Sequence, residues 1–172
     1  MKISALDEYG LRCLLRLGRC QNGNSLTVNE IAEMEGLSEA NVRKLLMMLR
    51  QNGFVQSVRG RTGGYALASS PSEITVGQVM EALGGRMYDD EFCGKHSGDV
   101  RICVNSTGCS VKSLWGVLDG LVSGILHRIR LSDLLVTDGS LSASLRQHVD
   151  STVEEVLGKR AGMFNLPVIR SG

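Results

Sequence analysis

The chain has 172 residues, 42% of them hydrophobic and 22% charged, with a formal net charge of +1. That length suits one domain, or a small domain with a dimerisation arm, and the composition excludes a disordered chain. Two prolines and 4% aromatic residues argue against an all-β sandwich and for a helix-rich fold.

From Ala5 to Cys20, Leu6, Tyr9, Leu11, Cys13, Leu14, Leu17 and Cys20 recur at three- and four-residue steps, which predicts an amphipathic helix. Asp7, Glu8, Arg12 and Arg16 interrupt this stretch, so it is no signal peptide. No run reaches the roughly eighteen apolar residues of a membrane span, and a cytosolic protein is expected. Thr27 with Glu30 three residues on predicts a capping box opening a helix over Val28 to Glu35 that Gly36 ends. Ser38 predicts the next cap, for a helix buried through Val42, Leu45, Leu46 and Leu49 and closed by Gly53. Phe54 to Arg59 and Tyr65 to Ala68 flank Gly60-Arg61-Thr62-Gly63-Gly64 and read as a hairpin. Thr75 caps a helix over Val76 to Leu83. From Gly84 to Ser110 periodicity vanishes. A long helix follows from Val111 to His127 or beyond, with Leu114, Trp115, Leu118, Leu121, Val122, Ile125 and Ile129 on one face. Leu141 to Leu157 is a last amphipathic segment before the tail.

Charge is unevenly spread. Between Ser38 and Arg61 the bases Arg43, Lys44, Arg50, Arg59 and Arg61 face one acid, Glu39. Between Glu73 and Arg101 acids outnumber bases. A basic module followed by an acidic one suits a nucleic-acid binder with an attached sensor. Helix, glycine turn, helix and hairpin form a winged helix-turn-helix, whose second helix enters the major groove. Its outward residues are Ser38, Glu39, Asn41, Arg43 and Lys44. Asn pairs with adenine, Arg or Lys with guanine, and Ser with phosphate or base. Arg59 and Arg61 lie beside glycines that let a backbone approach DNA and send an arginine into a minor groove. Periodicity alone leaves a solvated charged face as the competing reading.

The runs EIAEMEGLSEANVRKLLMMLRQNGFVQSVRGRTGGYALA and PSEITVGQVMEAL resemble the family of iron–sulfur regulators typified by IscR and NsrR. The resemblance covers roughly residues 1 to 135 and is sharpest in SVRGRTGGY and EITVGQVMEAL. It implies a homodimeric winged helix, a dimerisation helix from Val111 to Arg130, and a near-palindromic double-stranded DNA operator. The expected organisation is a DNA-binding domain over 1–83, a cysteine loop over 84–110, a dimerisation helix over 111–135, and a C-terminal segment over 136–172. One departure bears on specificity. Arg43 and Lys44 stand where members often carry Glu and Gln, so donors replace acceptors and the inner operator bases shift towards guanine.

Five cysteines in a cytosolic chain are thiols or metal ligands rather than structural disulfides. Cys93, Cys103 and Cys109 form a Cys-x9-Cys-x5-Cys loop, and three thiolates can converge on an iron–sulfur cluster or on zinc, incidental loop cysteines being the third possibility. The resemblance implies the cluster, because the family places three cysteines between the same two helices. The first gap is longer than the family's usual x5, which leaves 4Fe–4S and 2Fe–2S both open. Where IscR-type members offer a fourth-ligand histidine, this chain has Lys112. NsrR-type members use a carboxylate from the other subunit just ahead of a Tyr-x-Leu-Arg run, and here that is Glu8. An oxygen ligand makes an exchangeable corner open to oxygen or nitric oxide. His96 is the local alternative ligand, water or a small thiol the third possibility, and a solvated acid at a helix start is the plain reading of Glu8. Cys13 and Cys20 read as buried structural thiols, and Trp115 as part of a dimer core. No nucleophile–base pair, Walker loop or dinucleotide fingerprint is present, so a regulator rather than an enzyme is expected.

Overall fold

The computed structural model describes residues 3–20, 25–60, 63–86, 88, 92–97, 103, 108–136 and 146–155. Its elements run α1 (Ala5–Arg19), α2 (Val28–Glu35), α3 (Glu39–Gln51), β1 (Val55–Val58), β2 (Gly64–Leu67), α4 (Val76–Gly84), α5 (Phe92–Lys95), α6 (Ser110–Leu126) and α7 (Leu131–Leu135). Residues 146–155 are also helical.

Polar side chains set the helix starts. At α2, the Thr27 hydroxyl accepts from the Glu30 amide while the Glu30 carboxylate accepts from the Thr27 amide. Thr75 and Gln78 repeat the exchange at α4, and Ser4 and Asp7 make it at α1, where the sequence reading named no cap. Ser38 caps α3 through the Asn41 amide. Each such cap contributes on the order of 1 kcal/mol. Gly36 ends α2 in the left-handed region at φ 65°, where a side chain would be strained.

The four helices and β1 close on one core. Cys13, Leu14 and Leu17 of α1 meet Ile31 of α2, Val42, Leu45, Leu46 and Leu49 of α3, Val55 of β1, and Val79 and Leu83 of α4. β1 pairs antiparallel with β2, Val55 opposite Leu67 and Val58 opposite Gly64. Leu26 and Tyr65 exchange both backbone hydrogen bonds, at 3.0 and 2.8 Å, and tie the hairpin to the segment before α2. That approach is why Gly64 is glycine, since a Cβ there would run into the Leu26 carbonyl; one on Gly63 would crowd the carbonyls of Gly60 and Val58. Two of the wing glycines therefore serve the protein's own packing, beyond the DNA approach expected from sequence.

The long helix is shorter than expected. It stops at Leu126, not Arg130, and the chain turns at His127 and Arg128. Leu131 joins the core of the N-terminal module, and Ile129 leaves the predicted stripe and is buried. Its carbonyl accepts from Val76, and Leu131 donates to Ile74, so residues 129–131 run against 74–76 as extended chain. Backbone bonds to a segment some fifty residues earlier outcompete helix continuation here. The loop also differs from expectation, for it contains the short helix α5. Within the segment predicted over Leu141 to Leu157, residues 146–155 are helical and the remainder lies outside the described residues. Arg128 reaches this helix at Ser151 (2.5 Å) and Glu155.

Candidate nucleic-acid interface and cysteine loop

Burying Val42, Leu45, Leu46 and Leu49 turns Ser38, Glu39, Ala40, Asn41, Arg43, Lys44 and Met47 of α3 outward, and all seven are exposed. The turn before α3 is tightened by the Leu37 amide donating to the Ala32 carbonyl at 2.9 Å. Ser38 spends its hydroxyl on the cap. Arg43 is paired with Glu39 one turn earlier at 2.8 Å, both exposed. Such a pair is worth about 0.3–0.5 kcal/mol, little enough for a base or phosphate to displace. At the wing, Arg59 is exposed beside Gly60 at φ 125°, whereas Arg61 lies outside the described residues. Arg50 fixes the wing to α3 through the Ser57 hydroxyl at 3.2 Å. The predicted donors of α3 and Arg59 thus share one module.

Behind this face, a pair of arginines locks α1 to α2. Arg12 holds the Glu35 carboxylate at 2.6 Å and its carbonyl at 2.9 Å, and Arg16 holds the other carboxylate oxygen. The Glu35 side chain is 4% exposed. Burial pushes its carboxyl up, but the hydrogen bonds and charges of Arg16 and Arg12 outweigh that and hold it below the usual 4.5. Sequence reading passed over Glu35; its signal, two arginines a turn apart on a helix, has no partner until the helices pack.

The cysteine loop begins where α4 ends at Gly85 (φ 75°). Asp119 of α6, buried, accepts from Arg86 at 2.5 Å and from the Tyr88 amide at 3.2 Å, which anchors the start of the loop. Tyr88 stands 5.5 Å from Phe92, which stacks on His96 at 4.1 Å. Cys93, on α5, has its sulfur 3.4 Å from the Tyr88 hydroxyl. Cys109 caps α6, its sulfur 3.4 Å from the Lys112 amide. Cys93, Cys103 and Cys109 are half-buried free thiols. Donor type and loop placement suit a soft metal centre, yet no three His, Cys, Asp or Glu side chains stand close enough together to hold a metal ion among the described residues. Glu8 is exposed on the first turn of α1, a position a second chain can reach. His96 is exposed, with Nδ1 2.9 Å from the Phe92 carbonyl. A carbonyl only accepts, so Nδ1 is the donor in that bond.

Cys13 is fully buried, and burial pushes its thiol up to about 12; burial also raises that of Cys20. Cys13 is thus the buried thiol expected from sequence, whereas Cys20, expected to be buried too, is only half-buried at the end of α1. Along α6, Val111, Leu114, Trp115 and Leu118 are exposed at 57%, 51%, 42% and 36%, a contiguous apolar stripe on one chain. No helix among the described residues is long and apolar enough to cross a membrane.

The family model described as Rrf2, iron-dependent transcriptional regulator, matches residues 3–137. The HTH-type transcriptional regulator IscR of Vibrio campbellii is 30% identical over 160 residues, 93% of this chain and 92% of that protein. Among solved structures, CymR, the global cysteine regulator of B. subtilis, superimposes with a TM-score of 0.65 at 29% identity, covering 80% of this chain and 99% of that one. T. potens IscR superimposes with a TM-score of 0.62 at 28% identity, covering 83% and 96%. The relatives are named as transcriptional regulators.

Proposed function

The chain belongs to the Rrf2 family of helix-turn-helix DNA-binding transcriptional regulators, and on that premise we propose that it is a cytosolic homodimeric repressor of a near-palindromic operator, governed by an iron–sulfur cluster. The observation that carries the sensing half is the set of three half-buried free thiols, Cys93, Cys103 and Cys109, in one loop between α4 and α6. Glu8 of a second chain, or His96, supplies the fourth ligand. When bound, the cluster supplies a redox- and nitric-oxide-sensitive corner.

The chain's own residues convert that state into DNA affinity. Glu8 opens α1, α1 is locked to α2 through Arg12, Arg16 and Glu35, and α2 carries α3 across a tight turn. A pull on Glu8 therefore moves the recognition helix. Two heads must sit about one turn of DNA apart, so a shift of a few ångströms between them lowers operator affinity. The exposed stripe of α6 supplies the seam between chains. Leu118→Asp places an unpaired charge in that seam, and sedimentation should then show monomers that bind operator poorly; a dimeric variant would relocate the interface.

The deciding experiment is anaerobic purification followed by visible absorption and duplex binding, before and after nitric oxide or oxygen. Absorbance that Cys93→Ala, Cys103→Ala or Cys109→Ala abolishes, while Cys13→Ala and Cys20→Ala keep it, supports the reading. In Glu8→Ala the cluster should persist but be more labile. If Glu8→Ala changes nothing while His96→Ala does, the ligand is local to one chain. A second reading is favoured by the likeness to the B. subtilis cysteine regulator and by the ungathered sulfurs: a zinc-bound or metal-free thiol regulator acting through a partner protein. Colourless protein whose DNA binding still depends on the loop cysteines selects it.

A further inference from the structure

The outward face of α3 is not wholly polar. Taking 100° per residue, the buried Val42, Leu45, Leu46 and Leu49 centre the core side. The line opposite them runs through Ala40, Lys44, Met47 and Gln51, with Arg43 to one side. Met47 is thus near the middle of the face that an HTH recognition helix presents to DNA, one turn beyond both Arg43 and Lys44. It is 48% exposed, although the other large apolar side chains of this helix are buried or half-buried. The role of Arg43 and Lys44 leaves it unexplained, and the described residues leave about half of it open to solvent.

In the major groove the one apolar feature that distinguishes a base pair is the C5-methyl of thymine. An unbranched thioether with three rotatable bonds can follow that methyl without a fixed geometry. Ala40, seven residues back and about 10 Å along the axis, offers a second, shorter apolar point on the same line. We infer that Met47 is a specificity residue that reads a thymine methyl in each operator half-site, flanking the bases read by Arg43 and Lys44. The inference rests on α3 being the reading helix. It adds a hydrophobic readout to the hydrogen-bonding one.

The test uses full-length protein and the duplex it recovers from a random-sequence pool. Each thymine is replaced in turn, in both half-sites, by deoxyuridine, which removes only the methyl. Affinities are measured at one salt concentration for wild type, Met47→Ala and Arg43→Ala. One symmetric pair of thymines should show a wild-type loss of about fourfold per half-site, the worth of burying one methyl group, and about fifteenfold for both. Met47→Ala should bind the thymine and uracil duplexes equally, with an unchanged melting temperature because the side chain is on the surface. A recovered duplex without a thymine pair there, wild-type indifference to every substitution, or a uracil penalty that survives in Met47→Ala overturns the inference. If Arg43→Ala nevertheless loses affinity, the reading helix stands and only Met47 fails; if Arg43→Ala also binds unchanged, the parent reading falls too.

Discussion

Between Ser4 and Gly84, reciprocal caps open α1, α2 and α4, and the enclosed side chains share one core reaching from Cys13 to Leu83. Between Gly85 and Cys109 the described residues are held by other means: the grip of Asp119 on Arg86 and Tyr88, an aromatic stack, and a four-residue helix. The first region is built on that shared core, which Leu131 from beyond the loop completes. Among the described residues of the second, none belongs to that core, and the sulfurs of Cys93 and Cys109 lie 3.4 Å from the Tyr88 hydroxyl and the Lys112 amide. The difference teaches that one region is organised by capped helices around a shared core, while the described part of the other is anchored at its start by a buried carboxylate of α6.

Substitutions break that contrast to different degrees. Leu46→Ala, at a fully buried position of the shared core, should cost about 2–5 kcal/mol in denaturant unfolding; a loss under about 1 kcal/mol would mean the head is not one cooperative unit. Gly64→Ala belongs in the same class, because backbone rather than a movable side chain blocks the Cβ.

Glu35→Gln comes next, at about 2 kcal/mol. Breaking a fully buried pair costs about 3–5 kcal/mol, and both arginines here are about a third exposed, at 38% and 35%, which reduces it. The pH dependence follows from the lowered carboxyl. The wild-type advantage should be fully present above pH 4.5 and fade as pH falls through the depressed value. A wild-type minus variant difference that is flat from pH 7 to pH 3 would show that packing, not charge, is what Glu35 supplies.

Arg43→Ala should leave unfolding unchanged and weaken operator binding by about 1–3 kcal/mol, with Arg59→Ala similar; unchanged operator affinity in both removes the assignment of reading residues. The smallest effect sharpens the comparison most. Cys93→Ala should shift the stability of the metal-free protein by under about 0.5 kcal/mol, because the α5 segment contributes no residue to the core, while abolishing the chromophore of the loaded one. A large loss in the metal-free state would make the loop part of the scaffold.

Local chemistry announced itself in the sequence. Thr27 with Glu30, Ser38, Thr75 and Gly36 mark where helices start and stop because caps and left-handed turns involve neighbours within four residues. The hairpin and the inward stripe of α3 are equally local, and so is the cysteine loop as a composition. Three readings failed to reach the structure by sequence alone. Helical periodicity carries Ile129 onto the long helix, yet residues 129–131 pair instead with 74–76. Asp7, Glu35 and Asp119 look like surface acids, yet all three are buried. Gly64 looks like a turn residue, yet it is where the hairpin meets Leu26. Each depends on a partner between 19 and 77 residues away in the chain, for Asp7 packs against Gly84, Glu35 pairs with Arg12 and Arg16, and Asp119 with Arg86 or, for Gly64, on Leu26, 38 residues back. Sequence by itself therefore determined the elements from α1 to α4, the helix-turn-helix order and the inventory of donors, because these follow from short-range periodicity and capping. Only the tertiary structure decided where the long helix ends, which acids are buried and why Gly64 is glycine, because those are settled by backbone groups and charges finding partners that are distant along the chain.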